Sequence, residues 1–253
     1  MNMRDNDPIC AEPDGALNYG QHMLAKYNSR VSAWSNSLVW KCPTASLLQY
    51  YDDNIGTRHL EVGARSAWFL EQANPPTTMA ETYILGPKTR ETIAAKKRLT
   101  DQGLLTRVYI SSVMAPIAPS VGCFDSIAAN LVFHRIPGTW SEKSLAIRYI
   151  SDALKENGVF FGATILGVGV RHNLLGRTLR GVFNSRLGGF HNSKDDKDGL
   201  VDVLEAFFER VNVVVEGSVA KFIARRPRSE SDESPHALPQ PEGSDLLVCP
   251  GQL

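Results

Sequence analysis

The sequence predicts an open α/β fold, a doubly wound and mostly parallel sheet flanked by helices. Three observations predict it. Short apolar runs alternate with helical patterns through the middle of the chain. Two of these runs, SIAANLVFH at 126–134 and GVFFGATIL at 158–166, carry no charge apart from a terminal histidine. The last two runs meet tightly at Glu216-Gly217-Ser218. Charge-free runs suit parallel strands buried on both faces. Strands alternating with helices and closing on a hairpin form a doubly wound sheet.

The elements follow in order. Residues 1–15, rich in Asp, Asn, Pro and Gly, read as a loose arm. Residues 16–56 read as a helical N-terminal cap carrying Tyr19, Tyr27, Trp34, Trp40, Tyr50 and Tyr51. It is expected beside or over the C-terminal edge of the sheet, where ligands bind in such folds. The α/β domain is expected over 57–225. Its strands are placed at 58–63, 81–86 (stopped by Gly86-Pro87), 107–111, 126–134 and 158–166, with the hairpin at 213–217 and 218–224. Helices are placed at 88–99, at 141–155 before the Asn157-Gly158 stop, and at 200–211. The acid run at 194–198 reads as a solvated helix start, its acids near the N-terminal dipole. Residues 226–253 form an acidic Ser/Pro-rich tail with too little apolar content to fold.

Charge narrows the function. The 253 residues hold 27 Lys+Arg and 27 Asp+Glu, a net of zero. The tail from Arg226 carries two arginines and five acids, a net of −3, which leaves +3 on the rest. Neutrality excludes a generic nucleic-acid binder, whose affinity comes from a basic face. It also argues against a polybasic membrane-surface protein. No apolar run reaches the roughly 18 residues of a membrane span, and the start of the chain lacks an apolar signal core. The expectation is a cytoplasmic protein with a small-molecule substrate and neither nucleic-acid nor membrane partners. Cys10, Cys42, Cys123 and Cys249 lack CxxC spacing and read as reduced thiols. No metal spacing and no nucleophilic triad order is visible.

The stretch His59-Leu60-Glu61-Val62-Gly63-Ala64-Arg65-Ser66-Ala67 resembles motif I of small-molecule class I S-adenosylmethionine (SAM) methyltransferases. Tyr83–Pro87, Phe124–Gly138 and Leu154–Gly162 fall in order where that family has the end of strand two, the fourth-strand motif and the turn into strand five. The resemblance covers about residues 20–225. It implies a Rossmann-like class I methyltransferase fold with a seven-stranded sheet.

The resemblance also implies cofactor positions at Glu61, Gly63, Gly86 and Ser112, and here the chain departs from the pattern. Of three motif I glycines only Gly63 remains; the second is Arg65 and the third Ala67. A guanidinium about 4 Å from the SAM sulfonium repels it by roughly 1–4 kcal/mol at effective dielectrics of about 80 to 20. Arg65 could instead pair with the methionyl carboxylate. The family's ribose-binding acid at the end of strand two is Gly86, and its adenine-binding acid after strand three is Ser112. These positions read as vestigial, so no cofactor is expected; SAM is the cofactor if the departures are tolerated.

Candidate pocket residues follow. Tyr27, Trp34 and Asn36 lie in a cap segment that interleaves aromatics with small polar groups, a composition suited to a small-molecule pocket and equally to a packing helix. Trp40 is assigned to the core. Trp68 lies beside the first loop. Arg171, His172, Asn184, Phe190 and His191 follow strand five, in a stretch that forms part of the substrate lid in related small-molecule methyltransferases. His134, at the end of strand four, is favoured as a pocket wall. Arg65, His134, His172 and His191 are the candidate catalytic groups, histidine being the usual acid or base near neutral pH. Three functions fit: a SAM-independent cyclase or isomerase of secondary metabolism, pericyclase-like, acting on a polyketide or terpenoid; an active small-molecule methyltransferase; or a non-catalytic partner protein.

Overall fold

The computed structural model describes residues 36–64, 67–76, 79–185 and 188–228. The expectations for Tyr27, Trp34 and Arg65, for the N-terminal arm and for the tail beyond Arg228 lie outside the described residues. Arg226 and Pro227, expected as the start of an unfolded tail, instead end the last strand of the sheet, because Pro227 pairs with the buried Phe208.

The elements in chain order are α1 (Thr44–Asn54), β1 (Arg58–Val62), α2 (Ala67–Gln72), β2 (Glu81–Gly86), α3 (Arg90–Asp101), β3 (Thr106–Ile110), β4 (Phe124–Asn130), α4 (Trp140–Asp152), β5 (Leu154–Ile165), α5 (Leu174–Ser185), α6 (Lys197–Phe207), β6 (Phe208–Glu216) and β7 (Val219–Pro227). The strands make one seven-stranded sheet in the order β3-β2-β1-β4-β5-β7-β6. β1 to β5 are mutually parallel and β7 is antiparallel to both of its neighbours. This is the predicted architecture.

The charge-free runs explain the centre. Six of the seven β4 residues and the last eight of β5 are buried. A Cβ at Gly162 would meet the Ala129 carbonyl oxygen at 2.2 Å, so only glycine lets these strands approach. On one face Phe69, Leu70, Ala95 and Leu99 bring α2 and α3 into a core with Tyr51 of α1. On the other, Ala146, Ile147, Ile150, Leu200 and Leu204 bring in α4 and α6. α5 stands apart, with Gly176 as its one buried residue.

Several sequence-based bounds move. β4 stops at Asn130 rather than 134: Leu131 takes φ 57 and Phe133–Arg135 form a 3-10 turn. β5 starts at Leu154. The segment 208–211, expected as helix, is the start of β6, because Phe208 is fully buried and pairs with Pro227. α1 lies on a face of the sheet rather than over its edge, since Tyr51 packs edge-on against Phe161 of β5, ring centroids 5.2 Å apart. The loop before α1 does reach the edge: a Cβ at Gly217 (φ 61) would meet the Trp40 carbonyl oxygen at 2.2 Å. Cys42 is a buried free thiol, pushed up to about 12 by burial and by the Glu216 carboxylate. Cys10 and Cys249 lie outside the described residues. The acid run is only partly solvated. Asp196 caps α6 by accepting from the Gly199 N–H at 3.0 Å, whereas Asp195 is buried against Lys143.

Candidate functional site

The parallel strands end on one edge, and the residues that follow them form the site. After β1, Gly63 takes φ 88 and its N–H donates to the Leu85 carbonyl at 2.8 Å. This binds the first loop to β2. Glu61 is fully buried. Its carboxylate accepts from the Tyr51 hydroxyl at 2.9 Å and lies 3.3 Å from His59 Nε2, while His59 Nδ1 lies 2.7 Å from Ser126 Oγ. Burial, then the Glu61 charge, holds the Tyr51 phenol well above its usual range. Glu61 therefore joins the cap to β1. The third motif position, Ala67, is a fully buried methyl at the start of α2.

Gly86 is the last residue of β2. A Cβ there would make ordinary contacts, 3.8 Å from Thr92 Oγ1 and 4.0 Å from the Ala64 nitrogen, at an unstrained φ. The backbone can hold a side chain directed at the first loop, and the chain does not supply one. Ile110 ends β3, and the exposed Ser112 accepts the Met114 N–H at 3.1 Å to close a turn. The described residues thus keep a glycine at the first turn and place no carboxylate at the end of β2, a departure from the arrangement the resemblance implies.

The edge of β4 and β5 is better furnished. His134 is 3% exposed, and its Nδ1 has no hydrogen-bond partner among the described residues. Burial, with Arg135 and Lys143 adding to it, holds the imidazole well below its usual range, so it is neutral. The Phe190 ring stands edge-on to it at 4.5 Å, Trp40 lies 5.8 Å from Phe190, and His172 lies 6.5 Å from Trp40. His172 is also held low, first by burial and then by Arg180. Asn36 and Asn130, each 3% exposed, bury amide nitrogens with no partner among the described residues. Buried orphan donors are uncommon in native proteins and mark candidate ligand contacts.

The segment after α5 closes this wall. Asn184 and Asn192 hydrogen-bond to each other at 2.9 Å, the Asn192 amide donates to the Ile165 carbonyl at 2.8 Å, and the His191 N–H donates to the His134 carbonyl at 2.7 Å. Lys143 anchors it from α4, donating to Asp195 Oδ2 at 2.6 Å and to the His191 carbonyl at 3.0 Å. A cavity of about 390 Å³ lies outside the wall, lined by Gly138, Thr139, Asn184, Ser185, Phe190, His191, Ser193 and Lys194.

No family model matches the chain. Methyltransferase verB of Penicillium polonicum is 34% identical over 217 residues, covering 74% of this chain and 87% of the relative. The physcion biosynthesis cluster O-methyltransferase of Aspergillus chevalieri is 32% identical over 217 residues, covering 85% and 96%. The chain belongs to the class I SAM-dependent methyltransferase family. Among solved structures, the methyltransferase SibL superposes with a TM-score of 0.59 at 20% identity over 78% of this chain. This chain spans 57% of the SibL chain's length, and the likeness concerns the fold.

Within the methyltransferase fold, the structure brings His134, Phe190, Asn184 and His191 together, with His172 reached through Trp40. His191 is exposed on the cavity rim, and Arg171 is exposed beyond it. Trp68 sits half-buried on α2, its ring 5.0 Å from Phe69. Trp40, assigned to the core, is buried in the core cluster on that face of the sheet, whereas sequence reasoning missed Asn130 as a buried donor. A polar residue closing an apolar strand was the available signal for Asn130.

The state of His134 has a pH consequence. Its folded pKa lies below the unfolded value near 6.5. The stability gained by keeping it neutral is complete above about pH 6.5. It is lost as pH falls through the folded value, because the unfolded chain then binds a proton that the native state refuses. Urea midpoints at pH 7.5, 6.5 and 5.5 should fall toward acid. His134→Gln should reduce that slope by up to about 1.4 kcal/mol per pH unit, leaving the part due to His172.

Proposed function

We propose that this chain is a small-molecule enzyme of natural-product biosynthesis whose methyltransferase fold no longer uses SAM, and that it acts as a cyclase or isomerase on an apolar intermediate. The observation that carries the proposal is Gly86 at the end of β2, where a side chain fits and no carboxylate stands. A ribose diol held by a carboxylate makes two charge-assisted hydrogen bonds, worth about 1.5–3 kcal/mol each. Their loss weakens binding by roughly two to four powers of ten.

The remaining groups suit a reaction within one molecule. The Trp40 and Phe190 rings provide apolar walls that select a reactive conformer. The Asn36 and Asn130 amides can donate to a carbonyl and polarise it. His134, neutral and with Nδ1 unshared, can accept a hydroxyl proton and return it to carbon or oxygen of the same substrate. Bonds are redistributed inside the substrate, and no co-reactant is consumed.

A second reading, an active methyltransferase of small natural products, is favoured by the names of the two curated relatives. Titration calorimetry of the full chain with SAM and with S-adenosylhomocysteine separates the two. No saturable heat up to about 1 mM is expected. A micromolar Kd for either compound overturns the proposal in favour of methyl transfer.

A further inference from the structure

We infer that the outer face of α5, with the loop leading into it, is a docking surface for an anionic lipid bilayer. The proposal is independent of whether the chain uses SAM.

Eight large apolar residues are exposed among the described residues, and four of them gather here: Leu174 at 81%, Leu175 at 50%, Leu38 at 46% and Val168 at 43%. The chain holds them together. Asn173 Nδ2 donates to the Leu38 carbonyl at 2.7 Å, Gly176 faces the Val39 carbonyl, and Arg180 reaches back to the Gly167 carbonyl. Leu174 and Leu175 open the first turn of α5 and project outward.

Charge selects the partner. From Asn157 to Lys194 the sequence contains no Asp or Glu, while Arg171, Arg177, Arg180, Arg186 and Lys194 supply five cations. Arg171 and Arg177 are exposed on either side of the leucine pair, and Lys41 is exposed three residues from Leu38. Exposed leucines set among arginines on an amphipathic helix are the composition of an interfacial segment. Each basic residue near an anionic surface strengthens binding about fivefold. The patch lies beside the His172–Trp40–Phe190 wall, so a bilayer seated there places the site next to a reservoir of apolar substrate. The zero net charge of the whole chain conceals this local run of cations in the sequence.

Cosedimentation of the full chain with sucrose-loaded vesicles tests the inference. Pure phosphatidylcholine is compared with phosphatidylcholine containing about 30% phosphatidylglycerol, at low and high salt. Anionic vesicles should pellet the protein at least about tenfold more strongly, and salt should reverse this. Leu174→Ser/Leu175→Ser should reduce binding about tenfold or more with an unchanged melting temperature, and Arg177→Gln about fivefold. Equal binding to both vesicle types overturns the proposal. So does anionic binding that survives the leucine replacements, which would mark a polyanion or acidic-protein face instead. Light scattering that shows a dimer abolished by the same replacements assigns the patch to a second copy of the chain and also overturns it.

Discussion

Replacing Gly86 with Asp, alone and with Arg65→Gly, should restore measurable affinity for S-adenosylhomocysteine. The Gly86 position tolerates the change: β2 is extended there, and a Cβ meets nothing closer than 3.8 Å. Direction is favourable too, since the Ala64 nitrogen of the first loop lies 4.0 Å from that Cβ. A carboxylate at this point regains charge-assisted bonds worth about 1.5–3 kcal/mol each, so Gly86→Asp alone should tighten binding by roughly tenfold or more. Removing Arg65 should matter more for SAM than for S-adenosylhomocysteine, because only SAM carries the sulfonium that a guanidinium repels. Calorimetry on the parent and both variants reads the effect directly. Unchanged affinity in both variants, with the fold intact by circular dichroism, would show that these two positions do not decide cofactor use.

Breaking the Lys143–Asp195 pair should be the most destabilising single change on the substrate side. Their side chains are 0% and 1% exposed and meet at 2.6 Å. Burial pulls the Lys143 ammonium down and pushes the Asp195 carboxyl up against the opposing effect of the partner. Both directions say that desolvation outweighs attraction here. Lys143→Met leaves a buried carboxylate unpaired, at a cost of about 3–5 kcal/mol. In a chain of this size that lowers Tm by roughly 6–20 °C. It also releases the His191 carbonyl, and with it the segment that carries Phe190. The double variant Lys143→Met/Asp195→Leu should recover most of the loss, since an apolar pair in place of a buried ion pair is often neutral or stabilising. Thermal melts of the two single variants and the double variant check this. A double variant as unstable as the singles would show that the charges themselves are required.

The order of elements was legible because it rests on local patterning. The uncharged runs at β4 and β5, the glycine stops after β1 and β2 and the tight turn at Gly217 each declare themselves within a few residues. Element ends were less legible. The start of β6 at Phe208 depends on pairing with Pro227, and the stop of β4 at Asn130 on the left-handed Leu131. His134 could be placed near the ligand edge because it follows a strand that ends there. Its neutrality and its contact with Phe190, 56 residues away in sequence, could not.

The sequence by itself determined the fold class, the places where the chain departs from the motifs it resembles, and the acid-free stretch from Asn157 to Lys194. All three are properties of residue order. Tertiary structure alone decided that Glu61 bonds to Tyr51, that Asp195 is buried against Lys143, and that Leu38 joins Leu174 and Leu175 on one surface. Those partners are brought together by the order of strands in the sheet and by helix packing on its faces. Local periodicity carries no information about such distant pairings, and the free energy of a buried charge or an exposed leucine depends on them.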